Sequence, residues 1–118
     1  MKKGLVLDKV VLRARTFDEY ARLFALEPDA LRGRAILDVA SGVSSFSAEG
    51  RARGLDITAF DLIYDWPAEE ILKHCEPDLD RVIRGIEGLK TYKWDFYRNA
   101  ENLRQLRRRS YQTFLGDY

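Results

Sequence analysis

Apolar positions along this chain change period twice, dividing it into a helical beginning, a short strand-helix-strand centre and a helical remainder. Gly4 to Arg15 is rich in Val and Leu but keeps neither a helical nor a strand period, so it reads as an extended lead-in. Helix signals begin at Thr16-Phe17-Asp18-Glu19, a capping box. In it the Thr16 hydroxyl accepts from the Glu19 amide and the Glu19 carboxylate reaches back to the Thr16 amide. Phe17, Tyr20, Ala21 and Phe24 then recur at helical spacing until Pro28, and Pro28 to Gly33 fits one more helical turn closed by glycine.

Ala35 to Ala40 and Asp56 to Asp61 are short apolar runs of the kind that form buried parallel strands. Between them, Ser45 to Arg53 is helix-forming and Gly54 supplies a left-handed stop, although Gly50 costs about 1 kcal/mol relative to alanine. The result is one βαβ unit. Beyond Asp61 the period is helical. Pro67 to Leu72 opens a helix with proline in the first turn and acids near its positive end. Pro77 is expected to break that helix, with Leu79, Val82, Ile83, Ile86 and Leu89 marking a second one. Tyr92, Trp94 and Phe96 alternate as in a strand, and Asn99 to Leu115 reads as a third helix. The expectation is a single incomplete α/β domain: lead-in and helix over 1–33, βαβ motif over 34–63, helical segment over 64–118.

Length and charge refine this picture little. At 118 residues the chain suits one domain with a small core, and 20 Lys plus Arg against 19 Asp plus Glu give no pull toward nucleic acid or an anionic membrane. Cys75 is the one cysteine, so no intrachain disulfide forms, as is ordinary in a reducing compartment. No apolar run nears the roughly 20 residues that span a bilayer. Met1-Lys2-Lys3 leads into a segment broken by Asp8 and Lys9 rather than a signal-peptide core, so the expected location is cytoplasmic, with no membrane partner. His74 beside Cys75 has no second Cys or His to complete a metal site, which leaves a structural or surface role. Arg104, Arg107, Arg108 and Arg109, flanked by Glu101 and Asp117, read as a solvated helix face rather than a nucleic-acid contact. Tyr92, Trp94, Phe96 and Tyr97 read as core.

The chemistry sits in the first turn, Ala35-Ile36-Leu37-Asp38-Val39-Ala40-Ser41-Gly42-Val43-Ser44-Ser45-Phe46. Asp38 stands two positions before the loop, where a dinucleotide dehydrogenase has an apolar residue, and an acid at a strand end favours a cationic ligand group. A second acid, Asp61, closes the next strand, 61 − 38 = 23 positions on.

These residues resemble class I S-adenosylmethionine-dependent methyltransferases, whose first motif runs apolar-apolar-Asp/Glu-x-Gly-x-Gly-x-Gly. Two of its glycines stand here as Ala40 and Ser44. The resemblance covers Arg34 to Ile63, and more weakly the Thr16 to Leu26 helix, which is similar to the one that lids the cofactor in many members. It implies S-adenosylmethionine as cofactor, held by Asp38, by the loop residues Ala40, Ser41 and Gly42, by Asp61 on the ribose hydroxyls and by Leu62 on the adenine, with the Tyr20 hydroxyl facing it. The family's sheet has further strands that carry the acceptor side, and nothing after Asp61 matches them. The chain is therefore expected to be the N-terminal portion of a longer methyltransferase, holding half a cofactor site and no identifiable catalyst. The methyl acceptor is not legible. The alternative is a small, mostly helical interaction module whose βαβ unit binds nothing. A nicotinamide-binding reading suffers from Asp38 and from a GxGxxG match that fails at its first and last positions. The first strand would have a free side, from which a homo-oligomer is expected.

Overall fold

The computed structural model describes residues 11–118. It is an α/β arrangement of four helices and a two-stranded parallel sheet. Residues 11 to 15 run without regular structure into the first helix, α1 (Phe17–Leu23), which is set by the expected capping box: Glu19 N–H donates to Thr16 Oγ1 at 3.2 Å and Thr16 N–H to Glu19 Oε1 at 3.0 Å. The lead-in expected over Gly4 to Val10 lies outside the described residues. Helix α1 stops earlier than the Pro28 signal suggests, because Ala25 turns into the left-handed region at φ 51°. Pro28–Leu31 is a single 3-10 turn.

Strand β1 (Ala35–Val39), helix α2 (Phe46–Ala52) and strand β2 (Asp56–Phe60) form the βαβ unit, with Ala35 opposite Asp56 and Val39 opposite Phe60. Gly50 in α2 has a packing reason: a Cβ there would stand 2.2 Å from Ile57 Cδ1, so glycine lets helix and strand close on each other. Phe17, Phe46, Leu55 and Ile57 form a small core, lined by Tyr20, Leu26, Leu31 and Ile36.

After β2, Leu62–Asp65 makes a 3-10 turn capped by the Asp61 side chain. Helix α3 (Ala68–Glu87) then runs unbroken through Pro77, against the expected break. An internal proline costs about 3 kcal/mol by removing one hydrogen bond and crowding the preceding turn. Here that is offset by a seam continuous on both sides of it, Ile71, Cys75, Leu79, Ile83 and Ile86, packed in the second and larger core with Leu103, Tyr111 and Phe114 of α4 (Ala100–Asp117). Ion pairs cross the same interface, Arg108 to Glu76 and Arg104 to Asp80. Asn99 caps α4 by accepting from Asn102 N–H at 2.8 Å.

The alternation of Tyr92, Trp94 and Phe96 does not produce a strand: the segment between α3 and α4 is turn and coil. Tyr92, Trp94 and Tyr97 pack on the larger core as expected, but Phe96, expected there too, is exposed beside the Arg22 guanidinium, so the alternation does not mark one buried face. Among the described residues no helix is long and apolar enough to cross a membrane.

Candidate functional site

Parallel pairing of β1 with β2 sends both chain directions to the same end of the sheet, and there the two acids stand. Asp38 lies opposite Ala59, and Asp61 follows directly after β2. The loop from Ala40 joins them: Gly42 N–H donates to Asp61 Oδ2 at 2.9 Å, while Asp61 Oδ1 accepts from Ile63 N–H at 3.1 Å. Asp61 is thus the brace between the first loop and the turn after β2.

Asp38 is differently placed. It lies on the α2 side of the sheet, where Tyr20 Oη donates to its Oδ1 at 3.2 Å, and its Oδ2 is buried with no hydrogen-bond partner among the described residues. Desolvation, with the charge of Asp61 nearby, raises the Asp38 carboxyl above the ordinary aspartate range even though the Tyr20 bond opposes it. Burial and the Asp38 charge push the Tyr20 phenol up to about 12, so at neutral pH it stays a donor. Tyr20 stacks on Phe46, ring centroids 4.3 Å apart, which fixes α1 over the start of α2.

The loop itself is closed over. Ser41, Gly42, Val43, Ser44 and Ser45 are all buried, and Ala40 alone of its residues is exposed, at φ 58°. The lead-in crosses it: Val43 N–H donates to Arg13 O at 2.7 Å, Ser45 N–H to Arg15 O at 2.9 Å, and Arg15 N–H to Ser44 Oγ at 2.9 Å. Gly42, at φ 57°, could not carry a side chain here, since a Cβ would come within 2.8 Å of the Arg13 carbonyl oxygen. The central glycine therefore admits a neighbouring backbone, a role its spacing does not distinguish from close approach to a ligand.

Tyr64 completes the brace and is a residue that motif reading misses. Its hydroxyl donates to Gly42 O at 2.8 Å, so in the 2.6 Å contact with Ser41 Oγ the serine is the donor. Burial raises this phenol too, to about 12. Leu62 projects from the surface, 83% exposed. Of the seven residues that the motif singles out, Asp38 and Tyr20 are in direct contact, as are Gly42 and Asp61. Ser41 is buried behind them, and Ala40 and Leu62 face outward.

The other candidate residues go elsewhere. Arg104, Arg107 and Arg108 are each ion-paired, to Asp80, Glu19 and Glu76, rather than forming an unpaired solvated face. Tyr97 Oη also donates to Glu19, at 2.5 Å, so Glu19 serves the cap of α1 and a cross-link to α4 at once. His74 lies beside Trp66 and Glu70 on the outer part of α3, and Cys75 is buried with its thiol on Ile71 O. Among the described residues no cluster of His, Cys, Asp and Glu could hold a metal ion. A cavity of about 430 Å³ opens behind the loop, between the lead-in and α3 and α4, walled by Ala14, Val43, Cys75, Ile83 and Leu103; neither acid lines it.

No family model matches this chain, and no solved structure matches it. An uncharacterised protein of Methanocaldococcus jannaschii is 42% identical over 116 residues, covering 97% of this chain and 52% of that protein. The chain thus spans about half the length of the relative it matches.

Proposed function

We propose that this chain is the cofactor-binding part of an S-adenosylmethionine-dependent methyltransferase, with Asp38 and Asp61 as the two recognition acids. The observation that carries the reading is the buried, unpartnered Oδ2 of Asp38 at the end of β1, beside a second acid at the end of β2. A buried carboxylate oxygen without a donor is costly, and a ligand ammonium group would satisfy it. The residues present fit such a ligand. Asp38 holds the cationic amino-acid end, Asp61 keeps lone pairs beyond its two backbone bonds for ribose hydroxyls, and exposed Leu62 offers apolar surface to a base. When bound, S-adenosylmethionine supplies an electrophilic methyl group on a sulfonium.

The chain's own part in this is positioning. Tyr20, neutral and hydrogen-bonded, orients Asp38, while Ser41 and Tyr64 hold the loop to which Asp61 is tied. Methyl transfer depends chiefly on alignment of acceptor and methyl group, so no acid or base need come from this half. Nicotinamide dinucleotides fit less well, because the amides of Gly42, Val43 and Ser45 already serve Asp61, Arg13 and Arg15 rather than pointing at a pyrophosphate.

A second reading draws on those same internal bonds. A loop so fully tied down also suits a non-binding βαβ brace in an interaction module. Thermal shift separates the two. S-adenosylhomocysteine raising the melting temperature where NAD does not supports the cofactor reading; no response to either at millimolar concentration supports the brace.

A further inference from the structure

The two faces of the β1-β2 sheet differ sharply. Ile36, Asp38, Ile57 and Ala59 turn toward α2 and the small core, and Ile57 is 3% exposed. On the opposite face Leu37 is 64% exposed, Val39 60% and Phe60 52%, with Leu62 just beyond the strand end at 83%. Parallel strands are ordinarily covered on both faces, and a two-stranded sheet is marginal without further strands or a second packed layer. Among the described residues β1 pairs with β2 alone, so its outer edge is also open. A contiguous apolar patch of this kind marks an interaction surface.

The molecule's own long helices do not supply the cover, since α3 and α4 bury their apolar seams against each other. A second copy pairing β1 edge to edge would extend the sheet but leave the Leu37, Val39 and Phe60 face bare. The matching relative, however, is about as long again as the region it shares with this chain.

We infer that this face and the β1 edge form the docking surface for a polypeptide equivalent to the half of that relative which this chain does not match, adding a strand beside β1 and an apolar layer over Leu37, Val39 and Phe60. The inference rests on exposure and relative length, not on methyl transfer. It holds whether that polypeptide is joined in one chain or binds as a separate one.

The test is a chimera in which this chain replaces the matched half of the M. jannaschii protein, compared with the chain alone by amide hydrogen exchange. Exchange over residues 35–39 and 56–62 slows at least 100-fold in the chimera, and the double substitution Leu37→Asp, Phe60→Asp returns it to the rate of the isolated chain. The same substitutions leave the isolated chain folded, because both side chains lie on the exposed face of the sheet, outside either core. Equal exchange in chimera and isolated chain overturns the inference. So does an isolated chain that is dimeric at micromolar concentration with these residues protected, which would make a second copy the occupant. If the chimera does not fold, the full-length relative gives the answer directly: slow exchange in the strand aligned with residues 35–39 supports the inference, and fast exchange there overturns it.

Discussion

Replacing Asp61 by alanine removes two acceptors at once, and the structure allows the cost to be worked out. The Ile63 N–H, 3.1 Å from Oδ1, loses its cap, typically worth about 1 kcal/mol. The Gly42 N–H, 2.9 Å from Oδ2, belongs to a buried residue and is left without an acceptor, a loss of about 1–3 kcal/mol. The sum, about 2–4 kcal/mol, is a large fraction of the 5–15 kcal/mol that holds a typical domain together. Asp61→Asn keeps one carbonyl oxygen and loses about half as much. Urea unfolding followed by fluorescence of Trp66 and Trp94 measures both variants, with the midpoint falling most for alanine at unchanged slope. An Asp61→Ala midpoint equivalent to less than about 0.5 kcal/mol of change would refute the brace, since that is the range of an ordinary surface substitution. The result bears on function as well. A variant that loosens the loop loses ligand binding for structural reasons, so Asp61→Ala alone does not establish a ribose contact.

Two further outcomes follow from buried contacts. Glu19→Gln strands Arg107 in a buried setting and lowers stability by about 3–5 kcal/mol in chemical denaturation. Burial works against the Glu19 charge, but Arg107, Tyr97 and the Thr16 amide together hold its carboxyl below the usual 4.5; its contribution is therefore full above that value and lost as pH falls through the lower folded-state value, so the Gln variant shows a flatter acid limb. Gly42→Ala meets the Arg13 carbonyl at a left-handed φ and frees the lead-in, read as faster amide exchange at Val43 and Ser45 with loss of stability; unchanged exchange there would count against the crossing.

The βαβ unit was legible because its signals are local: two apolar runs, a glycine-stopped helix between them, and an acid at each strand end. The capping box at Thr16 and the start of α4 at Asn99 are local too, and both stand where the pattern puts them. Pro77 misleads because its local cost is outweighed by a seam contributed from α4, about thirty residues away in sequence. The Tyr92 and Trp94 spacing misleads for the same reason, since packing against a distant core imitates a strand period, while Phe96, which completes the alternation, is exposed. At the site, Asp38 stands out in the sequence as an acid in an apolar strand, and Asp61 as its counterpart is what the resemblance to the methyltransferase motif implies. Burial of Ser41 to Ser45 under Arg13 and Arg15 could not be read there, nor could the role of Tyr64, because a featureless lead-in carries no mark of what it crosses. Arg104, Arg107 and Arg108 read as a solvated face because their acidic partners lie on α1 and α3, out of sight of any local window, whereas Arg109 is exposed as that reading expects.

Asp38 provides the most direct test of the cofactor reading, because Asp38→Asn keeps an acceptor for Tyr20 while removing the charge that a ligand ammonium needs. The measurement is a titration of the isotope-labelled chain with S-adenosylhomocysteine, followed through backbone amide resonances. Shifts are predicted at Asp38 to Ala40 and at Asp61 to Ile63, and Asp38→Asn weakens the affinity about tenfold or more, as loss of a charged hydrogen bond of about 1.5–3 kcal/mol requires. Shifts confined to the cavity between the lead-in and α3 and α4, or an affinity unchanged by Asp38→Asn, would contradict it.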